Sequence, residues 1–288
     1  MARKRENTTV AVAAAASGYV MKAAAEAVRL GIAKMILVGD AARMQEIATA
    51  DGLDLAVFEI VDEPDNYAAC RKAVSLVVEG KATALMKGDV DTSSIMRAAL
   101  DRENGMRDGK KLSHIAAFEP PHYHKLLFVS DCAINIAPDN DTKIEIIENC
   151  VNALHHIGID VPKVALLAAK EVVDEKMPIT ATWAGLVTLH NSSDRMNGCI
   201  VDGPFALDNA VSKEACEIKG INSPVGGDAD ILIVPDIEAG NILYKSLSFL
   251  TKAKNGGVVV GAKRPIILTS RADTAESKLI SIALSVLF

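Results

Sequence analysis

The stretch KMILVGD, residues 34–40, is the clearest indication of the fold in this sequence. A short apolar run fills its centre, and it ends in Gly39 and Asp40, where the pattern turns polar. A run of this kind, bounded by turn residues, is typical of a parallel strand buried on both faces. Residues 20–31, just before it, carry apolar side chains at helical spacing. The segment therefore predicts a helix that leads into a buried parallel strand.

The alternation of strand and helix continues along the chain. The apolar patterns predict further strands at 55–61, 82–89, 163–169, 229–236, 256–262 and 265–270, and helices at 65–80, 91–100, 142–156 and 274–288. Such alternation favours an open, mostly parallel α/β sheet with helices on both faces, a doubly wound arrangement.

The middle of the chain departs from this rhythm. Residues 112–136 read as two extended segments around Pro120 and Pro121, with little room for a helix, so a hairpin or a bridge between two lobes is expected. A chain of 288 residues fits two lobes of ordinary size. We predict a first, discontinuous α/β lobe of residues 1–116 and 259–288, and a second of residues 117–258.

Composition excludes several classes of protein. Hydrophobic residues make up 50% and charged residues 24%, so the chain can bury a sizeable core. Aromatic residues are only 4% and the net charge is −6, which argues against a nucleic-acid-binding protein. No apolar run approaches the roughly 20 residues that a membrane-spanning helix needs. A local basic pocket for a small anion is still compatible with these values.

The amino terminus and the cysteines both favour the cytoplasm. Residues 1–18 have a basic start and a short apolar stretch, as a signal peptide has, but the stretch is weak and runs on into a helical pattern, so we interpret it as a first strand and loop. The cysteines are odd in number and well separated, as expected of buried thiols in a reducing compartment: Cys70, Cys132, Cys150, Cys199 and Cys216.

A metal site has weak support. His122 and His124 share one face if that stretch is extended, but no third ligand clusters with them in the sequence. We therefore expect no metal there.

Polar residues follow or precede several predicted strands, where α/β proteins bind ligands. Backbone N–H groups and helix dipoles favour anions at the carboxyl ends of strands. The stretches are LMKGDVDTS with Lys87 and Gly88, SPVGGDADILIVPDIEAGN with Asp228, Glu238 and Asn241, and TSRADT with Ser270 and Arg271. None has the spacing of a Walker A loop or of a dinucleotide-binding GxGxxG motif. Each alone could be an ordinary polar strand end, but three together favour a shared site.

Five stretches together resemble the phosphate acetyl/butyryl transferase family, in the right order and from about residue 10 to the end. They are MKGDVDT, SDCAINIAPD, VDGPFALDNAVS, SPVGGDADILIVPDIEAGN and PIILTSRADT. The GDADILIVPDIEAGN run and the terminal SRADT are the most specific of them. The short chain and the VDGPFALDNAVS block are more similar to phosphate butyryltransferase than to the acetyl enzyme.

The resemblance implies a reversible transfer of a short acyl group from coenzyme A to inorganic phosphate, giving acyl phosphate and free coenzyme A. It implies two α/β lobes with the active site in the cleft between them, a homodimer or higher homo-oligomer, and no metal or redox cofactor. It also implies that the terminal pair, Ser270 and Arg271, is catalytic. Chemistry supports this pair, because a guanidinium fork matches phosphate oxygens and a hydroxyl can donate to a developing charge.

The general base is less clear from the sequence. Acetyl-enzyme relatives carry an acidic residue a few positions after the Ser-Arg pair, and Ser277 stands at the closest spacing here. Asp273 and Glu276 are the nearby candidates, although Asp273 could instead cap the last helix.

Other residues are weaker candidates for the site. Lys87 and Gly88 could bind phosphate or coenzyme A, and Arg107 could bind coenzyme A phosphates. Asn241 and Asp228, with Glu238, could shape the wall of the site. Cys132 is expected to have no covalent role, because the attack by phosphate is direct.

Two other functions stay open on the sequence alone. A metal-dependent decarboxylating dehydrogenase shares a related two-lobe fold, and chelator sensitivity with NAD reduction would support it. A non-catalytic acyl-CoA-binding or small-anion-binding protein would bind ligand without turnover. Phosphate acetyltransferase is the alternative within the family, because acyl chains differ only by methylenes.

Overall fold

The structure, a computed structural model, describes residues 1–2, 8–270 and 273–288. The chain divides into two compact units, Met1–Lys110 with Gly256–Phe288 and Lys111–Asn255, and each is described by itself below. The lobe boundaries predicted from the sequence, 1–116 with 259–288 and 117–258, stay a prediction for folding domains. No helix within the described part of the chain is long and apolar enough to cross a bilayer.

The strands are numbered along the chain. They are β1 (Thr9–Ala13), β2 (Lys34–Gly39), β3 (Glu59–Asp62), β4 (Ala84–Lys87), β5 (Ser113–Glu119), β6 (Leu127–Ser130), β7 (Lys163–Leu167), β8 (Ile200–Phe205), β9 (Ile231–Ile233), β10 (Lys254–Val260) and β11 (Ile266–Ile267).

The helices are numbered in the same way, and a π-helical turn, Ser246–Leu250, follows α9. They are α1 (Gly18–Arg29), α2 (Ala41–Asp51), α3 (Asn66–Val78), α4 (Thr92–Ala99), α5 (Asn140–His156), α6 (Pro178–Ser192), α7 (Leu207–Val211), α8 (Lys213–Lys219), α9 (Ile237–Lys245) and α10 (Ala275–Leu287).

Strands of the first unit lie in the order β3-β2-β1-β4-β11-β10. All neighbours in this order are parallel except β10 and β11, which are antiparallel. Ile266 of β11 pairs with Leu85 of β4, although the two residues are far apart in the sequence. The predicted α/β class with a mostly parallel sheet is confirmed.

Strands of the second unit lie in the order β5-β6-β9-β7-β8. Here β6, β9, β7 and β8 run parallel to one another, whereas β5 is antiparallel to β6, with Ala116 opposite Val129. The two extended segments predicted around Pro120 and Pro121 are β5 and β6, and they form the expected hairpin.

Aspartate side chains start many of the helices. The carboxylates of Asp40, Asp65, Asp91, Asp139 and Asp236 each accept a hydrogen bond from a backbone N–H in the first turn of the helix that follows. A carboxylate at this position satisfies one of the free N–H groups and complements the positive end of the helix dipole. The sequence therefore fixes where these helices begin.

One predicted strand begins later than expected. Residues 55–61 were expected to be extended, but Leu55–Val57 form a 3-10 turn and β3 starts at Glu59. The reason is local, because the Asp54 side chain accepts a hydrogen bond from the Ala56 N–H at 2.9 Å and closes a turn.

Each unit has its own apolar core. In the first, Met21 and Ile282 pack with Val12, Leu37 and Met86 of the sheet, and all five are buried. In the second, the buried side chains that pack together include Phe118, Val129, Ala165, Phe205 and Leu232. Burying such side chains is the main stabilising contribution to folding.

Candidate active site

Three neighbouring strands of the first unit end at the same edge of the sheet. β1 and β11 both lie parallel to β4, one on each side of it. Their carboxyl ends lead into Ala14, Gly88 and Leu268. This edge is where parallel α/β sheets bind ligands.

The chain after β4 passes unusually close to the end of β1. The Gly88 N–H donates to the Ala13 carbonyl and the Asp89 N–H to the Ala14 carbonyl, both at 2.8 Å. A Cβ atom on Gly88 would lie 2.2 Å from the Ala14 carbonyl oxygen. Ala14 itself has a left-handed φ of 52°. Only glycine fits at position 88, because the two backbones approach each other so closely.

A small pocket of about 60 Å³ lies at this edge. It brings together residues from the ends of β4 and β11 and from the helices α1 and α10. Its lining consists of Ser17, Val20, Gly88, Asp89, Thr269, Ser270 and Lys278. The volume is a few times that needed to hold one water molecule, so it suits part of a small polar ligand. Gly88 and Ser270, which the sequence predicts for one site, do meet here.

Ser270 is exposed and is held by hydrogen bonds through its backbone. Its N–H donates to Oδ2 of Asp273 at 2.6 Å, and its carbonyl accepts from the Asp273 N–H at 3.1 Å. The Lys278 ammonium also donates to this carbonyl, at 2.8 Å. Both bonds to Asp273 fix the position of Ser270 at the mouth of the pocket.

The cap of α10 is Thr274. Its Oγ1 accepts a hydrogen bond from the Ser277 N–H at 3.1 Å. The suggestion from the sequence that Asp273 caps this helix is therefore wrong. Asp273 instead closes the turn with Ser270, while Glu276 is exposed in the first turn of the helix. Asp273 is therefore one contact away from the pocket.

Lys278 is the lining residue that the sequence reasoning missed. It is 3% exposed, and burial lowers the pKa of its ammonium while nearby Asp273 raises it. The signal was present in the sequence, because Lys278 lies on the same helix face as the buried residues Ser281, Ile282 and Ser285. A lysine within the buried stripe of a helix is uncommon unless its charge has a use.

Lys87 is buried as well, and its ammonium forms hydrogen bonds with the loop that follows β4. Its Nζ donates to the Val90 carbonyl at 2.9 Å and to the Gly88 carbonyl at 3.3 Å. These bonds hold the loop that carries Gly88.

Arg107 lies away from the pocket. Its Nε donates to the Leu100 carbonyl at 2.6 Å, and its backbone forms an isolated bridge with Ala262. Arg271, the second member of the predicted catalytic pair, lies outside the described residues.

In the second unit, Asp228 and Asn241 lie at opposite ends of β9. Asn241, on α9, follows the carboxyl end of the strand, and its side-chain amide donates to the Cys132 carbonyl at 3.4 Å. Glu238 is in the first turn of the same helix. Asp228 precedes the strand at its amino end. The structure thus does not bring Asp228 and Asn241 together, although the sequence reasoning placed them at one wall.

Asp228 lies among two lysine side chains and one histidine side chain. Its carboxylate lies 2.6 Å from Nζ of Lys163, 3.1 Å from Nζ of Lys125 and 2.7 Å from Nε2 of His124. Burial alone would raise the pKa of Asp228, but the hydrogen bonds from Lys163, His124 and Lys125 outweigh it and hold the pKa well below its usual value. Lys125 also pairs with Asp230 at 2.8 Å, so this cluster ties the β5–β6 connection to the start of β9.

The geometry does not favour chemistry at the Cys132 thiol or at the His124 imidazole. Cys132 is buried, and burial raises the pKa of its thiol far above the usual value, which disfavours the nucleophilic thiolate. The His124 ring is bound to Asp228. Within the residues that the structure describes, no three histidine, cysteine, aspartate or glutamate side chains are grouped to hold a metal ion.

A larger pocket of the first unit contains none of the predicted site residues. It has a volume of about 520 Å³ and lies between α3 and the turn after α4, with Tyr67, Arg71 and Asp101 among its lining. The convergence of strand ends, rather than size, makes the smaller pocket the candidate site.

Comparison with known proteins shows the family of the chain. The profile of the family described as "Phosphate acetyl/butaryl transferase" matches residues 1–70 and 65–286. The chain is 46% identical to a phosphate butyryltransferase from Clostridium acetobutylicum, over 99% of this chain and 94% of that protein. It is 44% identical to a phosphate acetyltransferase from Thermotoga maritima, over 97% of this chain and 94% of that protein.

A solved structure leads to the same class. The fold is similar to that of a branched-chain phosphotransacylase from Enterococcus faecalis V583, with a TM-score of 0.86, 34% identity, and coverage of 97% of this chain and 99% of that one. Fold and sequence are thus those of an acyl-transferring enzyme. The chain belongs to the phosphate acetyl/butyryl transferase family, which confirms the resemblance seen in the sequence.

Proposed function

We propose that this protein transfers a short acyl group reversibly between coenzyme A and inorganic phosphate, giving acyl phosphate and free coenzyme A. The observation that carries this proposal is near-full-length similarity to phosphate butyryltransferases, together with a polar pocket at Ser270. The substrates are an acyl-CoA and phosphate, and no metal or redox cofactor takes part in the proposed step.

The reaction needs a phosphate oxygen to attack the carbonyl carbon of the thioester. A new C–O bond forms, the C–S bond of the tetrahedral intermediate then breaks, and the leaving thiolate takes up a proton. Phosphate must first lose its water shell, and holding it beside the thioester supplies much of the rate through proximity.

Ser270 and Arg271 are proposed as the catalytic pair. The Ser270 hydroxyl sits at the mouth of the pocket and can donate to a phosphate oxygen or to the charge that develops on the thioester oxygen. Arg271, by its position next to Ser270 in the sequence, is proposed to bind phosphate through its guanidinium fork.

Of the two acidic candidates, we propose Asp273 as the group that exchanges the proton with the coenzyme A thiol. Support comes from its contact with Ser270, at 2.6 Å between Oδ2 and the backbone nitrogen. Glu276 is exposed and one residue into α10. Gly88 and Lys87 are proposed to shape and hold the phosphate side of the pocket.

Arg107, Asn241 and Asp228 stay weaker proposals. Arg107 is exposed and could reach coenzyme A phosphates by its long side chain. Asn241, on α9, is proposed to contact substrate. Lys125, Lys163 and His124 around Asp228 already account for its burial and charge, so a structural role is the better assignment for it.

The acyl chain is proposed to be butyryl or a similar short chain. Identity to butyryl and acetyl relatives is nearly equal, at 46% and 44%, so overall similarity does not separate them. Each methylene is worth only about 1–3 kcal/mol of discrimination in an apolar pocket. Relative kcat/KM values for a series of acyl-CoAs of increasing length give the preference directly, and the highest value on acetyl-CoA would assign the acetyl branch instead.

Cytoplasmic location and self-assembly are also proposed. All five cysteines are free and buried, as suits a reducing compartment. The exposed apolar side chains of Phe249 and Leu250 support an assembly of copies, a homodimer or higher. Sedimentation of the purified chain tests the assembly.

The experiment that tests the function measures thiol release from butyryl-CoA with and without phosphate. We expect release only when phosphate is present, and the same rate with a chelator. Release without phosphate would indicate a thioesterase. Release that requires a divalent metal, or reduction of NAD, would indicate the dehydrogenase class.

A further inference from the structure

Lys278 occupies an unfavourable position for a lysine. It lies in the first turn of α10, where the helix dipole is positive, and it is 3% exposed. Burial disfavours the charged ammonium, which is why its pKa is lowered. A buried cation next to the positive end of a helix costs stability unless something negative binds there.

The protein supplies little compensation for this charge. Among the described residues, the Lys278 ammonium forms no ion pair with a carboxylate, and its hydrogen bond goes to the neutral Ser270 carbonyl. Asp273 contributes only a longer-range attraction. An ammonium has three N–H donors, and one of them is used on the Ser270 carbonyl. The remaining N–H donors can face the pocket that Lys278 lines.

The rest of the pocket suits an anion with several oxygens. Ser17 precedes α1, a helix of 12 residues, and its side chain forms no capping bond with that helix. Thr269 and Ser270 add hydroxyl groups from the end of β11. Asp89, the only acidic side chain among the described residues of the lining, is exposed.

We propose that Lys278 is a phosphate-binding residue of this enzyme, with one N–H on the Ser270 carbonyl and another on an oxygen of the phosphate substrate. The inference rests on the proposed function, because it names the anion. In this proposal the Lys278 ammonium has two roles. It fixes the strand end that carries Ser270, and it supplies a positive charge at a position held by burial.

The test replaces Lys278 by methionine, which keeps the length and apolar body of the side chain and removes the charge. A hydrogen bond to a charged group is commonly worth about tenfold to a hundredfold in binding, so the KM for phosphate should rise by about that factor. The KM for acyl-CoA should change by less than about twofold. Phosphate should also raise the Tm of the wild-type protein, and this rise should be lost in Lys278→Met.

Lys143→Met is the matched control. Lys143 is also a buried lysine near a helix start, 8% exposed, with burial lowering its pKa and a hydrogen bond to the Pro138 carbonyl, but it lies in the second unit. Both variants lose a buried ammonium, and only Lys278→Met should lose the response to phosphate.

The outcomes separate the inference from the proposed function. If Lys278→Met lowers Tm but keeps the wild-type KM for phosphate and the wild-type Tm response to phosphate, Lys278 is purely structural and the inference is overturned. If the wild-type protein shows the Tm response but no phosphate-dependent turnover, the proposed reaction fails while the phosphate site stands.

Discussion

Gly88 and Ala14 approach so closely that a single added carbon atom would collide with the backbone. A Cβ on Gly88 would lie 2.2 Å from the Ala14 carbonyl oxygen and 2.5 Å from that of Ala13. The contact joins the ends of β4 and β1 beside the Ser270 pocket. It fixes the position of Gly88, which lines that pocket.

Gly88→Ala should therefore both destabilise the protein and lower its turnover. Forcing an atom into such a space typically costs about 1–3 kcal/mol, and the shift of the loop would also displace the pocket lining. Urea unfolding and steady-state kinetics on the variant measure the two effects.

Gly185→Ala is the control for this substitution. Gly185 is on α6, and a Cβ there would meet no atom within 4 Å. Alanine should stabilise the helix by about 0.5–1 kcal/mol and leave turnover unchanged. Equal stability and activity of Gly88→Ala and wild type would show that the close approach has no role.

Arg271→Lys should not restore function, even though it keeps the charge. Lysine lacks the planar fork that binds two phosphate oxygens at once. Removing one preorganised contact of this kind lowers turnover by about 100- to 1,000-fold. Steady-state kinetics on Arg271→Lys and Arg271→Ala, with Tm as a check on folding, measure this. Turnover near wild type in both would remove Arg271 from the site.

Asp273→Asn should reduce turnover far more than Glu276→Gln. General acid–base groups typically contribute about 100- to 10,000-fold. The asparagine can still accept the Ser270 N–H through its amide oxygen, so the turn is kept while the proton acceptor is lost. Comparison of kcat for the two variants decides which carboxylate acts. A larger loss in Glu276→Gln would reverse the assignment.

The buried thiols predict a loss of stability in alkali. Burial raises the pKa of Cys70 from 9.0 to about 11 and the pKa of Cys150 from 9.0 to about 12. Between the unfolded and folded values the unfolded chain has released protons that the folded chain still holds, so the free energy of unfolding falls as pH rises above about 9. Each such thiol contributes a slope of up to about 1.4 kcal/mol per pH unit.

Urea unfolding at a series of pH values measures that slope. Cys150→Ala removes one thiol, so its stability should fall less steeply with pH than that of the wild-type protein. Identical slopes in the two proteins would show that this thiol does not titrate differently on folding.

Much of the fold could be predicted because its signals are local. Apolar runs such as residues 34–40 mark buried strands, and an aspartate such as Asp91 or Asp139 marks the start of a helix by a hydrogen bond a few residues away. The position of β11 could not be predicted in this way. It lies beside β4 through pairs such as Ile266 with Leu85, and nothing in either short segment specifies its neighbour.

The candidate site also has parts that could be predicted from the sequence and parts that could not. Gly88 and Ser270 could be placed together because both follow strands at the carboxyl edge of a parallel sheet. Asp228 was grouped with Asn241 from closeness in the sequence, although a strand between them carries them to opposite edges. Lys278 was missed because helical periodicity places it among core residues, and only the structure shows that its ammonium reaches the Ser270 carbonyl.

The central claim is that phosphate itself accepts the acyl group, and the most direct test counts both products. Butyryl-CoA and phosphate are incubated with the protein, free coenzyme A is measured by its thiol, and acyl phosphate is trapped with hydroxylamine. The account predicts one acyl phosphate for each coenzyme A released, and re-formation of butyryl-CoA when both products are supplied. Release of coenzyme A with free carboxylic acid and no acyl phosphate would contradict it.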